Sequence, residues 1–278
     1  MGEPVHLAIS TCPNDTYAFS GLLAGEVDTG GLDFRIELID IAELNRRLFA
    51  GEFDVAKASF HAALYLTAET CVLPVGSALG FGVGPLLLAA RPGVRPGDLP
   101  GGRTLCPGPH TTATMLYRMF HAAGPSPEHV IFSDIMPALC TGDADFGVCI
   151  HEGRFTWEAE GLHLVEDLGT RWEREAGGPL PLGGILARRS LGERLEEVTA
   201  AIERSLAWAD AHRDGALAVM RAHAQEMDDA VIWGHVELYV NGWTRALGAE
   251  GREALSKMYT IARDAGVISA DARALSVL

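Results

Sequence analysis

LNRRLFAGEFDVAKASF, Leu44–Phe60, and MPALCTGDADFGVCIH, Met136–His151, follow one local pattern written twice. Each opens on a short helical stretch, passes through Gly-x-x-Asp, and closes on a run of small, β-branched and apolar residues typical of a buried strand. Placing Gly51 on Gly142 also places Leu48 on Leu139 and Asp54 on Asp145, an offset of 91 residues. The residues match weakly, but the elements on either side recur in the same order, which chance rarely produces. The chain therefore reads as two similar α/β lobes.

Working outward, Val5–Ser10 reads as a first strand. A Pro/Asn/Asp turn then feeds an apolar-periodic helix that ends at Gly25, with Asn14, Asp15 or Thr16 placed to serve as its N-cap or to contact a ligand. LDFRIELIDI, Leu32–Ile41, alternates as a second strand, and VAKAS after Asp54 is a third. In the second copy, RTLCPGPHTTATMLYRMFHAAG, Arg103–Gly124, repeats strand, Pro/Gly turn, helix and terminating glycine, and EHVIFSD, Glu128–Asp134, reads as the next strand. Between the copies, Val72–Ala90 fits two apolar strands around a glycine-rich loop, and RPGVRPGDLPGG, Arg91–Gly102, is a Pro/Gly-rich link.

A second pairing gives the connectivity. GPLLLAARPG from Gly84 resembles GGILARRSLG from Gly183, about one lobe later. Two such strands can carry the chain out of the first lobe and back, so residues 1–91 and 184–278 form a large lobe, and 92–183 form a small lobe inserted through two crossings able to act as a hinge. The last hundred residues read as helices. A capping box at Ser190–Glu193 precedes apolar Leu195, Val198, Ile202 and Leu206, and further helices fall near 214–225, 228–247 and 251–265. Trp208, Trp233 and Trp243 read as core.

Composition narrows the functional classes. With 278 residues the chain can bury a substantial core, and a net charge of −15 argues against a general attraction to nucleic acid or anionic membranes. No run of about 20 apolar residues is present to insert in a membrane. The five cysteines, Cys12, Cys71, Cys106, Cys140 and Cys149, are scattered and never in C-x-x-C, which points to a reduced, cytoplasmic protein without a structural zinc. MGEPVHLAIS lacks the basic and apolar regions of a secretory signal. There is no G-x-G-x-x-G, Walker loop, H-E-x-x-H or G-x-S-x-G.

Ligands of open α/β sheets bind beyond the carboxyl ends of the strands. Four segments reach such an end: Ser10–Thr16, Lys57–His61, Cys106–Ala113 and His151–Phe155. His151 stands where an apolar strand meets a polar loop, and a histidine, with a pKa of about 6.5, suits proton transfer near neutrality. Pro107–Ala113 runs from a glycine turn into a helix start, where unpaired N–H groups and the Thr111 and Thr112 hydroxyls suit a carboxylate; Thr111 serves equally as a plain N-cap. Lys57 and Ser59 share one face of their strand. His61 and His110 are secondary candidates.

STCPNDTYAF, FDVAKASFHA, the TTAT helix start and CIHEGRFTW, at their joint spacing, resemble the 1,4-dihydroxy-6-naphthoate synthase family of the futalosine route to menaquinone, over essentially the whole chain. One variation is STCPNDTY in place of a form such as SPCPNDTF. The resemblance implies a type II periplasmic-binding-protein-like fold, and a lyase that converts cyclic dehypoxanthinyl futalosine to 1,4-dihydroxy-6-naphthoate with loss of dihydroxyacetone and no cofactor. It implies His151 as the base, and Asn14, Asn45, Lys57, Ala58, Ser59, Thr111, Thr112 and Ala113 as the set that binds a small anionic substrate. A homodimer fits the reading, with no heptad to argue for it. The alternatives are the chorismate dehydratase of the same pathway, against which IHEGRF counts, and a non-catalytic carboxylate-binding protein, against which the missing signal counts.

Overall fold

The computed structural model describes residues 3–99, 101–150, 153–223 and 228–278, and eleven strands are built from them. They are β1 Val5–Ile9, β2 Phe34–Leu38, β3 Val55–Ser59, β4 Thr70–Val72, β5 Ala78–Gly80, β6 Leu86–Ala89, β7 Thr104–Cys106, β8 Glu128–His129, β9 Phe146–Cys149, β10 His163–Asp167 and β11 Leu180–Arg188. One sheet runs β2-β1-β3-β11-β4, with β5 also on β11, and the other runs β10-β6-β9-β7-β8. In the first, β2, β1 and β3 are parallel and β11 is antiparallel to β3. In the second, β8, β7 and β9 are parallel and β6 is antiparallel to β9. The two sheets thus share one strand order, with β3 matching β9 and β11 matching β6.

The Gly-x-x-Asp motif does the same work in each copy. Gly51 and Gly142 end their helices at φ of 76° and 77°, a conformation glycine adopts without the Cβ penalty. Asp54 Oδ2 accepts from the His6 N–H at 2.9 Å, and Asp145 Oδ2 accepts from the Arg103 N–H at 3.0 Å, so each aspartate ties its own strand to the parallel neighbour. The backbone repeats this: the Arg188 N–H donates to the Asp54 carbonyl, and the Ala90 N–H donates to that of Asp145.

Several elements differ from the sequence reading. Leu86–Ala89, assigned there to the first lobe, pairs in the second sheet; the chain changes sheets between Gly80 and Leu86 and returns between Asp167 and Leu180. The strand expected over Glu128–Asp134 stops at His129 and a helix starts at Phe132, because Ile135 and Leu139 at helical spacing pack on β9 where Gly147 leaves room. The capping box at Ser190–Glu193 does not form. Gly192, at φ 57°, separates a 3₁₀ turn from the helix Arg194–Ala211, whose N-cap position, Glu193, makes no side-chain cap. The helix expected over 228–247 divides into Asp229–Tyr239 and Gly242–Arg245, since Val240 is extended and the Asn241 side chain caps a new turn.

Strand alternation feeds the core. Val5, Leu7 and Ile9 of β1 face the helices Pro13–Ala18, Arg194–Ala211 and Arg213–His223, while Ala56 and Ala58 of β3 face the opposite side. Phe146 and Val148 of β9 join the larger cluster with Trp172, fully buried between the sheets and the last long helix, Gly248–Asp264. Trp208, Trp233 and Trp243 pack against these clusters, as expected of core residues.

At the crossings the backbone packs tightly. A Cβ on Gly84 would stand 2.2 Å from Gly169 Cα, so only glycine lets the segment entering β6 pass the start of the helix Leu168–Ala176. Arg154 bridges the two, donating to the Gly84 carbonyl at 2.5 Å and to Asp167 Oδ2 at 2.8 Å. No helix among the described residues is long and apolar enough to cross a membrane.

Candidate active site

The carboxyl ends of β1, β3 and β7 and the end of β9 open on one cleft. Lining it are Asn14, Lys57, Ala58, Ser59, Thr111, Thr112 and Ala113 of the expected set, together with Ile150. His151 lies outside the described residues. Its flanks do not: Ile150 lines the cleft, and the Gly153 N–H donates to the Ile150 carbonyl at 3.2 Å. Asn45 stands behind the cleft wall, where its Nδ2 donates to Ser59 Oγ and its Oδ1 accepts from the Ser59 N–H, each at 3.2 Å. This fixes Ser59 while leaving its hydroxyl proton without an acceptor among the described residues.

The floor carries an ion pair that the sequence reading missed. Lys57 Nζ lies 2.6 Å from Asp15 Oδ1, and both residues are almost fully buried, 5% and 3% exposed. Buried charges of this kind persist when each is paired and hydrogen-bonded. Lys57 also donates to the Gly76 carbonyl at 3.2 Å. Asp15 accepts from Ser10 Oγ at 2.6 Å and from Asn14 Nδ2 at 2.8 Å.

The N-cap roles considered for Asn14, Asp15 and Thr16 are not the observed ones. Cys12 is the N-cap, Pro13 begins the helix, and the three side chains lie within its first turns. Proline at the first helical position costs no hydrogen bond and releases Asn14 and Asp15 for the cleft. Thr111 is indeed an N-cap, its Oγ1 accepting from the Thr114 N–H at 3.3 Å. The cap leaves the Thr112 and Ala113 N–H groups at the head of the helix Thr112–Phe120 without an acceptor among the described bonds, and both residues line the cleft. Their dipoles favour an anion.

Two contacts join the cleft walls. Thr112 Oγ1 donates to the Leu182 carbonyl on β11 at 2.7 Å. His61, fully buried, donates from Nδ1 to the Thr111 carbonyl at 3.0 Å, and desolvation lowers its pKa to about 4, so it is a neutral imidazole at pH 7. His61 thus does structural work and is not among the lining residues. His110 is also outside this cleft: it packs on Phe49 with ring centroids 4.5 Å apart and lines an adjoining cleft with His129, its pKa lowered by burial. Among the described residues no group of three or more His, Cys, Asp or Glu could hold a metal.

Ser10 and Cys12 of the expected segment Ser10–Thr16 also line the wall, and sequence reasoning missed other parts of it, among them Ile41, Leu182, Gly183 and Tyr239. Gly183 is needed there, because a Cβ would stand 2.6 Å from the Ala58 carbonyl oxygen. A small oxygenated anion fits this arrangement, with amide donors on one wall and Ser59 and Lys57 on the other.

Comparison with known proteins gives the family and the fold. A family profile described as menaquinone biosynthesis matches residues 5–264. The chain is 41% identical over 276 residues to a 1,4-dihydroxy-6-naphthoate synthase of Thermus thermophilus, covering 99% of this chain and 100% of the relative. It is 39% identical to the same-named enzyme of Streptomyces coelicolor, covering 96% of each. A crystal structure of an Archaeoglobus fulgidus protein superposes with a TM-score of 0.88 at 31% identity, covering 95% of this chain and 98% of that one. A Candida albicans protein described as having the generic periplasmic-binding-protein fold superposes at 0.64 with 12% identity, covering 96% and 92%, a likeness that bears on the fold alone. The architecture is thus periplasmic-binding-protein-like, as the sequence resemblance implied.

Proposed function

Because the chain belongs to the menaquinone-biosynthesis family of 1,4-dihydroxy-6-naphthoate synthases, we propose that this enzyme converts cyclic dehypoxanthinyl futalosine to 1,4-dihydroxy-6-naphthoate with release of dihydroxyacetone, acting in the cytoplasm as a carbon–carbon lyase without a cofactor. The supporting observation is the cleft itself, which Thr112 and Ala113, at the head of their helix, line together with Ser59 and Lys57. The amides accommodate the substrate carboxylate and the floor its oxygen functions. His151, one residue beyond the lining Ile150, takes a proton from the bound substrate, after which carbon–carbon cleavage and aromatisation follow. A placed general base contributes roughly 10² to 10⁴ in rate.

The lobes act as the two jaws, residues 1–91 with 184–278 against 92–183, although the sheet change upstream of Leu86 brings β6 into the moving part. Closure over the ligand excludes water from the cleft. The test is direct: incubate the protein with the cyclic futalosine derivative and follow the naphthalene chromophore, with chorismate as the control substrate. His151→Ala is expected to bind substrate and lose turnover by about 10²-fold or more. Wild-type turnover of chorismate alone would replace the reading with that of a dehydratase, and near-normal kcat in folded His151→Ala would remove the histidine from the mechanism.

A further inference from the structure

We infer that Asp15 is a positioning residue: it holds Lys57 so that the ammonium serves a neutral oxygen of the ligand, while the ligand carboxylate is left to the helix-start amides of Thr112 and Ala113. This rests on the proposed substrate class, an oxygenated aromatic carboxylate.

An ammonium has three N–H groups. One goes to Asp15 at 2.6 Å and one to the Gly76 carbonyl at 3.2 Å, which leaves one for the cleft that Lys57 lines. A carboxylate brought to that N–H would stand beside Asp15 as well, and repulsion from the aspartate would cancel the attraction of the lysine. A carbonyl or hydroxyl oxygen meets no such opposition. The second wall differs: the Thr112 and Ala113 amides carry partial positive charge, and among the described residues lining the cleft the one acid is Asp15.

The aspartate is held against movement. Ser10 Oγ donates to its Oδ2, and Asn14 Nδ2 donates to its Oδ1. Because a carboxylate only accepts, the Asn14 amide nitrogen must face Asp15 and its oxygen must face His235, 3.0 Å away. His235 Nε2 therefore carries the proton it donates to Asn14, and its ring packs on Tyr239, a residue of the cleft wall, at 4.5 Å between centroids. The helix Asp229–Tyr239 thereby sets the orientation of a lysine on β3 through Asn14 and Asp15.

Asp15→Asn, Lys57→Met and the double variant, each in the full chain, test this, with turnover and the affinity for 2-naphthoate measured separately and folding checked by circular dichroism. Asp15→Asn is expected to lower kcat by ~100-fold, the scale of a reacting group misplaced by about an ångström, while 2-naphthoate binds as tightly as to wild type or tighter. The double variant is expected to be no slower than Lys57→Met alone, because Asp15 acts only through the lysine. Unchanged kcat in Asp15→Asn overturns the inference, as does additive loss in the double variant, or loss of 2-naphthoate binding in the folded variants. Where a single variant leaves an unpaired buried charge and unfolds, the double variant, which removes both charges, decides by its naphthoate affinity: retained binding supports the assignment, lost binding overturns it. Wild-type protein inactive on the cyclic futalosine derivative would sink the proposed reaction instead, and the naphthoate measurements would still decide where the carboxylate goes.

Discussion

The two sheets have one strand order and one Gly-x-x-Asp lock, yet they finish their third strands differently. β3 ends in Lys57–Ala58–Ser59, a charged and hydroxylated floor tied to Asp15 and Asn45. Its counterpart β9 is apolar to Ile150, with Val148 where the first copy has Lys57 and Gly147 where it has Ala56. The first lobe supplies polar groups from a strand end, the second from a helix start. A duplicated frame is free to diverge at its strand ends because the ladder there pairs backbone with backbone whatever the side chain, whereas the two aspartates hold the frame through their own carboxylates.

The largest expected effect concerns the junction. His61 follows β3 and binds the Thr111 carbonyl of the opposite wall, and its buried imidazole titrates at about 4 when folded, against about 6.5 when unfolded. The unfolded chain therefore binds more protons between these values. The stability is complete above about pH 6.5 and is lost as pH falls toward 4, by up to about 3 kcal/mol for this group. Urea unfolding at pH 7.5 and 4.5 measures it; His61→Asn should show a shallower loss than wild type, and an equal slope would deny His61 this role.

A smaller effect comes from making the copies alike. Gly147→Ala gives β9 the residue that β3 has, but its Cβ would meet Ile135 Cγ2 at 2.4 Å. The expected cost is ~1–3 kcal/mol of overpacking, read from urea midpoints; a neutral result would show that the helix over β9 shifts freely. The smallest effect concerns what the copies share. Asp54→Ala and Asp145→Ala each remove one acceptor of a backbone N–H, and each should cost about 1 kcal/mol, with the exposed Arg91–Asp145 pair adding little. A marked inequality between them would show that the shared geometry carries unequal energy.

Much of the site was legible because strand ends are legible. Lys57, Ser59 and the Thr111–Ala113 helix start were found from pattern and turn chemistry, and they do line one cleft. From the sequence Asp15 is one of three possible caps, with Asn14 and Thr16, in competition with ligand contact; the proline takes the first helical position instead, so the capping falls to Cys12. Tyr239 and His235 gave no signal, since an amphipathic helix in sequence does not reveal which sheet edge it will cover. EHVIFSD misled because its alternation is short, and the spacing of Ile135 and Leu139 won once Gly147 offered them a seat.

The sequence by itself determined the repeated helix, Gly-x-x-Asp and strand of the two copies and the positive-φ glycines that end both helices, because these follow from local periodicity and backbone sterics. Only the tertiary structure decided that Asp15 neutralises Lys57, that Asn45 holds Ser59, that Gly84 and Gly169 let the crossings pass, and that β6 belongs to the second sheet. Each of those depends on residues far apart in the chain brought together by burial, and partners chosen by burial leave no periodic mark.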